Sequence, residues 1–168
     1  MSLDPKTLSP DGWAIQVFHA AESGEITEQQ ARSLILDYVG PSLDTTILAT
    51  TNTLWLLASH PEQWAALQQG PNCIPSAINE SLRIESPIQV FSRYVTQDFE
   101  IDSVLLPAGS RVMVLFGSAN RDERRWHEPE RFDIRRKASD RLAFGHGERM
   151  CLGIPLACLE FALCSQRW

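Results

Sequence analysis

The sequence predicts a mainly α fold with a small β region, on three observations. Apolar residues recur at helical intervals through the first half, short β-rich pieces follow one another after Ile88, and a glycine-rich loop precedes a last helix. A chain of 168 residues suits one domain and, when compact, buries about 70% of its unfolded surface, so a real core is expected.

Thr27 and Gln30 have the capping-box spacing and open an amphipathic run in which Ala31, Leu34, Ile35, Tyr38 and Val39 fall at helical intervals. The run continues to His60, because Pro61 disfavours helical geometry for the residue before it. Pro41 lies inside. It cannot donate to the carbonyl of Asp37 and its ring crowds that turn, which predicts a kink just before "SLDTT".

Pro61 serves as the first residue of a helix over Pro61 to Gln69, ended by Gly70-Pro71, and Pro75 opens another that closes before Pro87. From Ile88 the period changes: "IQVFSRYVT", "FEI", "VLL" and "RVMVLF" read as short strands, with "PAGS" as a turn. Asn120 to Trp126 is expected to form one short helix. The stretch from His127 to Asp140 has little periodicity and reads as a meander, and Pro155 opens the terminal helix.

Composition, 43% hydrophobic and 21% charged, places the chain among soluble globular proteins. A formal charge of −6 argues against a nucleic-acid partner, since phosphate binding wants a basic face. The basic run around Arg135 is read as a solvated loop. No basic segment leads into an apolar one at the N-terminus and no run reaches membrane-spanning length, so neither a secretory signal nor a membrane anchor is expected. Cys73, Cys151, Cys158 and Cys164 show no C-x-x-C pair and no zinc-type spacing, which fits a reducing cytoplasm better than a disulfide framework or a structural zinc site.

The loop from Leu142 to Gly153 carries the chemistry. Gly145, Gly147 and Gly153 permit backbone turns and the close approach of a flat ligand, and Cys151 sits a few residues before a helix N-terminus. That environment favours a thiolate, the form of cysteine that binds metals. Cys73, Cys158 and Cys164 are read as buried, inert thiols, and His146 as a surface or supporting residue.

The order F-G-x-G-x-R-x-C-x-G, occupied by Phe144, Gly145, Gly147, Arg149, Cys151 and Gly153, resembles the haem-thiolate signature of the cytochrome P-450 monooxygenases, with every fixed position filled. The resemblance implies haem b (iron protoporphyrin IX) as cofactor and Cys151 as the axial ligand to its iron. Glu80 and Arg83 match the family's helical E-x-x-R pair, and Arg131, within Pro129 to Phe132, is implied to complete an ionic network with them behind the haem. A carboxylate and a guanidinium three apart on a helix are also the pattern of a weak exposed pair. Arg93 and Arg149 are implied to reach haem propionates, a task that suits a planar guanidinium able to grip a carboxylate with two hydrogen bonds. The plain alternative for Arg93 is a solvated strand arginine.

Gly40 to Thr46 resembles the family's oxygen-binding helix segment, with Asp44 and Thr45 in the places of its acid and threonine. Reduction of dioxygen consumes two protons before the O–O bond breaks, and a hydroxyl beside an acid organises a water relay that delivers them. Pro41 and Ser42 depart from the commoner alanine-glycine pair. The alternative, in which threonines bond back to helix carbonyls, stays open for Thr45 and is favoured for Thr50 and Thr51.

The resemblance runs from about Gln30 to Glu160 and covers the C-terminal part of that fold: the long kinked central helix, the E-x-x-R helix, the β-sheet, the cysteine-ligand loop and the helix after it. Residues 1–168 are therefore expected to be a single partial haem-binding domain lacking the N-terminal half and the extreme C-terminus, with apolar faces left open. The implied activity is that of a haem-dependent monooxygenase acting on a small hydrophobic organic substrate and O2. Electrons would come from NAD(P)H through a ferredoxin or flavin-type donor, with no nucleic acid and no membrane anchor involved. The alternative is a catalytically inactive, truncated haem-binding fragment.

Overall fold

The structure, a computed structural model, describes residues 4–165. The chain forms two compact units, Met1–Asp44 and Thr45–Trp168.

The first unit holds α1 (Trp13–Glu22) and the first part of α2, which spans Glu28–Ser59. The capping box forms as the spacing predicts: the Gln30 N–H donates to Thr27 Oγ1 at 3.2 Å and the Thr27 N–H to Gln30 Oε1 at 2.8 Å. Phe18, Ala31 and Ile35 make its core, with Leu8, Val17 and Ile26 packed against them. The α2 helix runs through Pro41 without a break, so the expected kink does not end or divide it. One missing donor is a small loss in a helix of 32 residues, where propagation is favourable once nucleated.

The second unit begins inside α2 and continues through α3 (Pro61–Gln69), α4 (Ile74–Ile84), β1 (Phe91–Tyr94), β2 (Phe99–Ile101), β3 (Val104–Leu106), β4 (Arg111–Val114), α5 (Phe116–Ala119) and α6 (Ile154–Ser165). Two antiparallel pairs form, β1 with β4, where Arg93 lies opposite Val112, and β2 with β3. Asp102 and Ser103 join β2 to β3 with φ of 47° and 64°, the left-handed pair of a tight hairpin turn.

Asn120 to Trp126 forms turns, and the short helix lies just before it, at Phe116–Ala119. The reason is local. Asp122 Oδ1 accepts the Arg124 N–H at 2.9 Å, and a side chain that bonds its own backbone two residues on competes with helical pairing.

Helix α4 is the centre of this unit, burying Ala77, Ile78 and every residue from Glu80 to Ile84. One cluster joins Leu56 and Leu57 of α2, Ala77 and Ile84 of α4, and Phe132 and Ile134 of the meander; a second joins Ala49, Ile78, Leu82 and Phe161. The meander is irregular yet anchored, because alternate apolar side chains reach the core. Thr50 and Thr51 donate to the carbonyls of Thr46 and Ile47 at 2.9 and 2.8 Å, as expected for helix threonines. Large apolar side chains remain exposed, among them Leu43, Ile47 and Trp55 on α2 and Phe99, Val104 and Leu105 on the hairpin. No helix among the described residues is long and apolar enough to cross a membrane.

Candidate functional site

Glu80 and Arg83, three apart on α4, face each other with both side chains fully shielded from solvent. Arg83 Nε donates to Glu80 Oε2 at 2.8 Å and Nη2 to Oε1 at 2.9 Å, a two-pronged charge-assisted grip. Its remaining donors reach the carbonyls of Asn120 at 2.7 Å and Arg131 at 3.4 Å, and its guanidinium lies 5.3 Å from the centre of the Trp126 ring. Glu80 Oε1 accepts two further bonds, from Arg136 Nε at 3.0 Å and from the Asp133 N–H at 3.1 Å. A buried ion pair is tolerable when its oxygens and protons are satisfied in this way.

The second arginine on Glu80 is thus Arg136 and not Arg131. Arg131 contributes its carbonyl, while its exposed guanidinium donates to Glu128 Oε2 at 3.0 Å. Its neighbour Phe132 is buried in the core, which leaves Arg131 facing solvent. Arg136 turns back across the meander and donates to the carbonyls of His127, Glu128 and Arg131 at 2.6, 3.1 and 3.3 Å. The basic run around Arg135 is therefore only partly a solvated loop.

The same network extends to the glycine loop. Asn120, whose carbonyl receives Arg83, accepts the Leu142 N–H on Oδ1 at 2.8 Å. The Gly145 N–H then donates to the Leu142 carbonyl at 2.9 Å, and Gly145 and Gly147 take φ of 74° and 75°, a conformation costly for any side chain. A short 3₁₀ turn, Gly147–Arg149, follows, and the Cys151 N–H donates to the Phe144 carbonyl at 3.0 Å, closing the loop. A Cβ at Gly153 would lie 3.6 Å from the Cys151 sulfur, an ordinary van der Waals contact.

Cys151 is an exposed free thiol, and Leu152 beside it is 95% exposed. Apolar surface therefore borders the sulfur. Phe144 packs with Ala143 against the Ile78, Leu82 and Phe161 cluster, and the Arg141 guanidinium lies 5.2 Å from the centre of its ring. Burial pushes the Arg141 guanidinium below its ordinary value, against an opposing influence from Cys158.

The structure collects Phe144, Gly145, Gly147, Arg149, Cys151 and Gly153 in one closed loop and joins Glu80 to Arg83. Arg149 is exposed and pairs with no carboxylate among the described residues. Arg93, on β1, is also exposed; its Nη1 donates to the Ser92 carbonyl at 3.0 Å and its guanidinium lies 4.9 Å from the centre of the Phe91 ring. Asp44 and Thr45 both belong to α2, Asp44 exposed and Thr45 half-buried, the last residue of the first unit and the first of the second. Sequence reasoning missed Arg136 and Asn120. Neither stands at a spacing that would mark it.

Among the described residues no three His, Cys, Asp or Glu side chains gather to hold a metal ion. An iron held at Cys151 would take its other donors from outside these side chains, as a macrocycle supplies them. The residues fit such a group: an accessible sulfur, a loop without bulky side chains at its glycines, an apolar border and an exposed arginine, Arg149.

The cytochrome P-450 family profile matches residues 73–167. A cytochrome P-450 of Rhodopseudomonas palustris is 38% identical over 153 residues, covering 91% of this chain and 37% of that protein. A cytochrome P-450 monooxygenase of Streptomyces venezuelae is 40% identical over 118 residues, 70% of this chain and 28% of that protein. The solved haem domain of a cytochrome P-450 from Tepidiphilus thermophilus superposes with a TM-score of 0.86 at 31% identity, over 93% of this chain and 38% of its own. The chain thus spans well under half the length of the relatives it matches. Family profile, sequence identity and fold agree with the closed cysteine loop, and the chain belongs to the cytochrome P-450 family.

Proposed function

We propose that the chain is the C-terminal haem-binding part of a haem-dependent monooxygenase, residues 1–168 forming one partial domain that holds haem b (iron protoporphyrin IX) through the Cys151 thiolate. One observation carries this reading. An accessible cysteine sulfur stands at the end of a glycine loop that the Cys151 N–H closes onto the Phe144 carbonyl, beside apolar surface suited to a flat macrocycle. When bound, the haem supplies the redox chemistry that activates dioxygen.

The chain's own residues supply position and protons. Arg149 and Arg93 bind the propionates, since a guanidinium matches a carboxylate in geometry and charge. Glu80, Arg83 and Arg136 fix the meander behind the loop. The Thr45 hydroxyl and the Asp44 carboxylate hold and pass protons through water toward the oxygen being reduced. The substrate is a small hydrophobic organic molecule that receives one oxygen atom, and NAD(P)H supplies electrons through a ferredoxin or flavin-type donor in the cytoplasm. The Streptomyces venezuelae relative, named a monooxygenase, supports the oxygen-inserting part of this reading.

A second reading is a haem-binding piece without turnover. The exposed apolar side chains of α2, Leu43, Ile47 and Trp55, favour it, because an uncovered apolar face does not exclude water from the chemistry. Turnover separates the two. Haem-loaded chain supplied with NAD(P)H, a ferredoxin and its reductase, under isotopically labelled dioxygen, is expected to place a single labelled oxygen atom in the product. Consumption of NAD(P)H with no labelled product favours the inactive fragment.

A further inference from the structure

Asn120 is 1% exposed and its side-chain amide is spent on two distant segments. Its Oδ1 accepts the Leu142 N–H at 2.8 Å and its Nδ2 donates to Ser86 Oγ at 2.9 Å. The orientation of that amide is fixed, because a backbone N–H can only donate and must meet the oxygen. Ser86 is itself buried, and its hydroxyl donates to the Leu82 carbonyl at 2.7 Å, which leaves an oxygen lone pair for Nδ2. The Asn120 carbonyl is held in turn by Arg83 Nη1 at 2.7 Å. One residue therefore accepts from Arg83 of the ionic pair and from the first amide of the glycine loop, and donates to Ser86 just past α4.

From Leu142 the connection to the sulfur is short. Leu142 is held at both polar groups, its N–H by Asn120 and its carbonyl by the Gly145 N–H at 2.9 Å. Phe144, two residues on, supplies the carbonyl that receives the Cys151 N–H at 3.0 Å. Gly145 and Gly147 are intrinsically free about φ, so the bond from Asn120 to Leu142 adds to the closing bond at Phe144 in narrowing the geometry of the loop.

We infer that Asn120 is a positioning residue for the Cys151 sulfur, fixing the start of the cysteine loop through its side-chain bonds to Leu142 and Ser86. This rests on the reading of Cys151 as the iron ligand, and it adds a supporting group beyond the ion network. Outer groups that orient a ligand commonly change metal affinity about 10–100-fold when removed.

The test uses the full chain, without and with haem. Asn120→Leu keeps the branched heavy-atom shape with bulkier methyl groups and removes both side-chain bonds. It is expected to speed hydrogen exchange at the Leu142 and Cys151 amides by about tenfold. In the haem-loaded protein it is expected to lower the fraction of the reduced carbon-monoxide complex showing the thiolate-type Soret band. Asn120→Asp retains an acceptor for Leu142 and is expected to restore most of the lost protection. Ser86→Ala, a milder change, is expected to move both readouts the same way by less, and it decides the matter should Asn120→Leu fail to fold. Faster exchange at Leu142 with Cys151 exchange and the thiolate-band fraction unchanged overturns the inference, since Asn120 would then tie two segments without positioning the sulfur. A wild-type chain that shows no thiolate-type band overturns the ligation reading and this inference with it. A wild-type band that every variant leaves unchanged overturns this inference alone.

Discussion

Arg136 donates from Nε to Glu80 Oε1 at 3.0 Å, on a carboxylate that Arg83 already grips from its own helix. The Glu80 side chain is fully buried and that of Arg136 is 14% exposed. The meander is therefore bound to α4 by charge in a water-poor place as well as by Phe132 and Ile134.

Arg136→Ala is expected to destabilise the chain by about 2–3 kcal/mol, because it removes a charged donor from a buried carboxylate and frees three carbonyls. Arg131→Ala removes only an exposed pair with Glu128 and is expected to cost less than about 1 kcal/mol. Urea denaturation of the two variants, compared at equal m, checks the difference.

Cys151→Ser changes an exposed thiol to a hydroxyl of similar shape, so the stability of the haem-free chain is expected to move by less than about 0.5 kcal/mol. Haem ligation through sulfur is expected to be lost. Thermal unfolding without haem and absorption spectra with it check the two halves separately.

On the proposed proton relay, Thr45→Ala is expected to lower kcat by about 100-fold or more while NAD(P)H consumption continues. Thr50→Val, which removes only a bond back to the Thr46 carbonyl, is expected to leave turnover near wild type. The ratio of product to NAD(P)H consumed checks this.

Hydrogen bonds from the Arg124 side chain, then from its backbone N–H, hold the Asp122 carboxyl at about 2, below its ordinary 3.8. A carboxylate held down in the folded state adds stability that is complete above 3.8 and is lost as pH falls toward about 2. Asp122→Asn is expected to flatten the fall of stability with acid within that window. Denaturation midpoints of both proteins across the window check the sign.

The local features were legible in the sequence and the long-range ones were not. The capping box at Thr27 and Gln30, the prolines at the starts of α3 and α4, and the glycine-cysteine spacing each act within a few residues, so spacing alone exposes them. Asn120 to Trp126 carries helix propensity in its sequence yet forms turns, because Asp122 bonds the backbone two residues on, an effect weaker in pattern than that propensity. The arginine that completes the network, Arg136 where the resemblance implies Arg131, is hidden for a different reason. Choosing among Arg131, Arg135 and Arg136 requires the path of a meander without periodicity, which depends on Phe132 and Ile134 entering the core. Asn120 carried no local signal, since its bonds run to Ser86 and Leu142, each more than twenty residues away.

The most direct test of the central claim is the reduced carbon-monoxide difference spectrum of the full chain reconstituted with haem. A red-shifted Soret band of the thiolate type, abolished by Cys151→Ser, is the predicted result. A folded chain that takes up haem with the band of a nitrogen or neutral-thiol ligand, or one whose band survives Cys151→Ser, would contradict it.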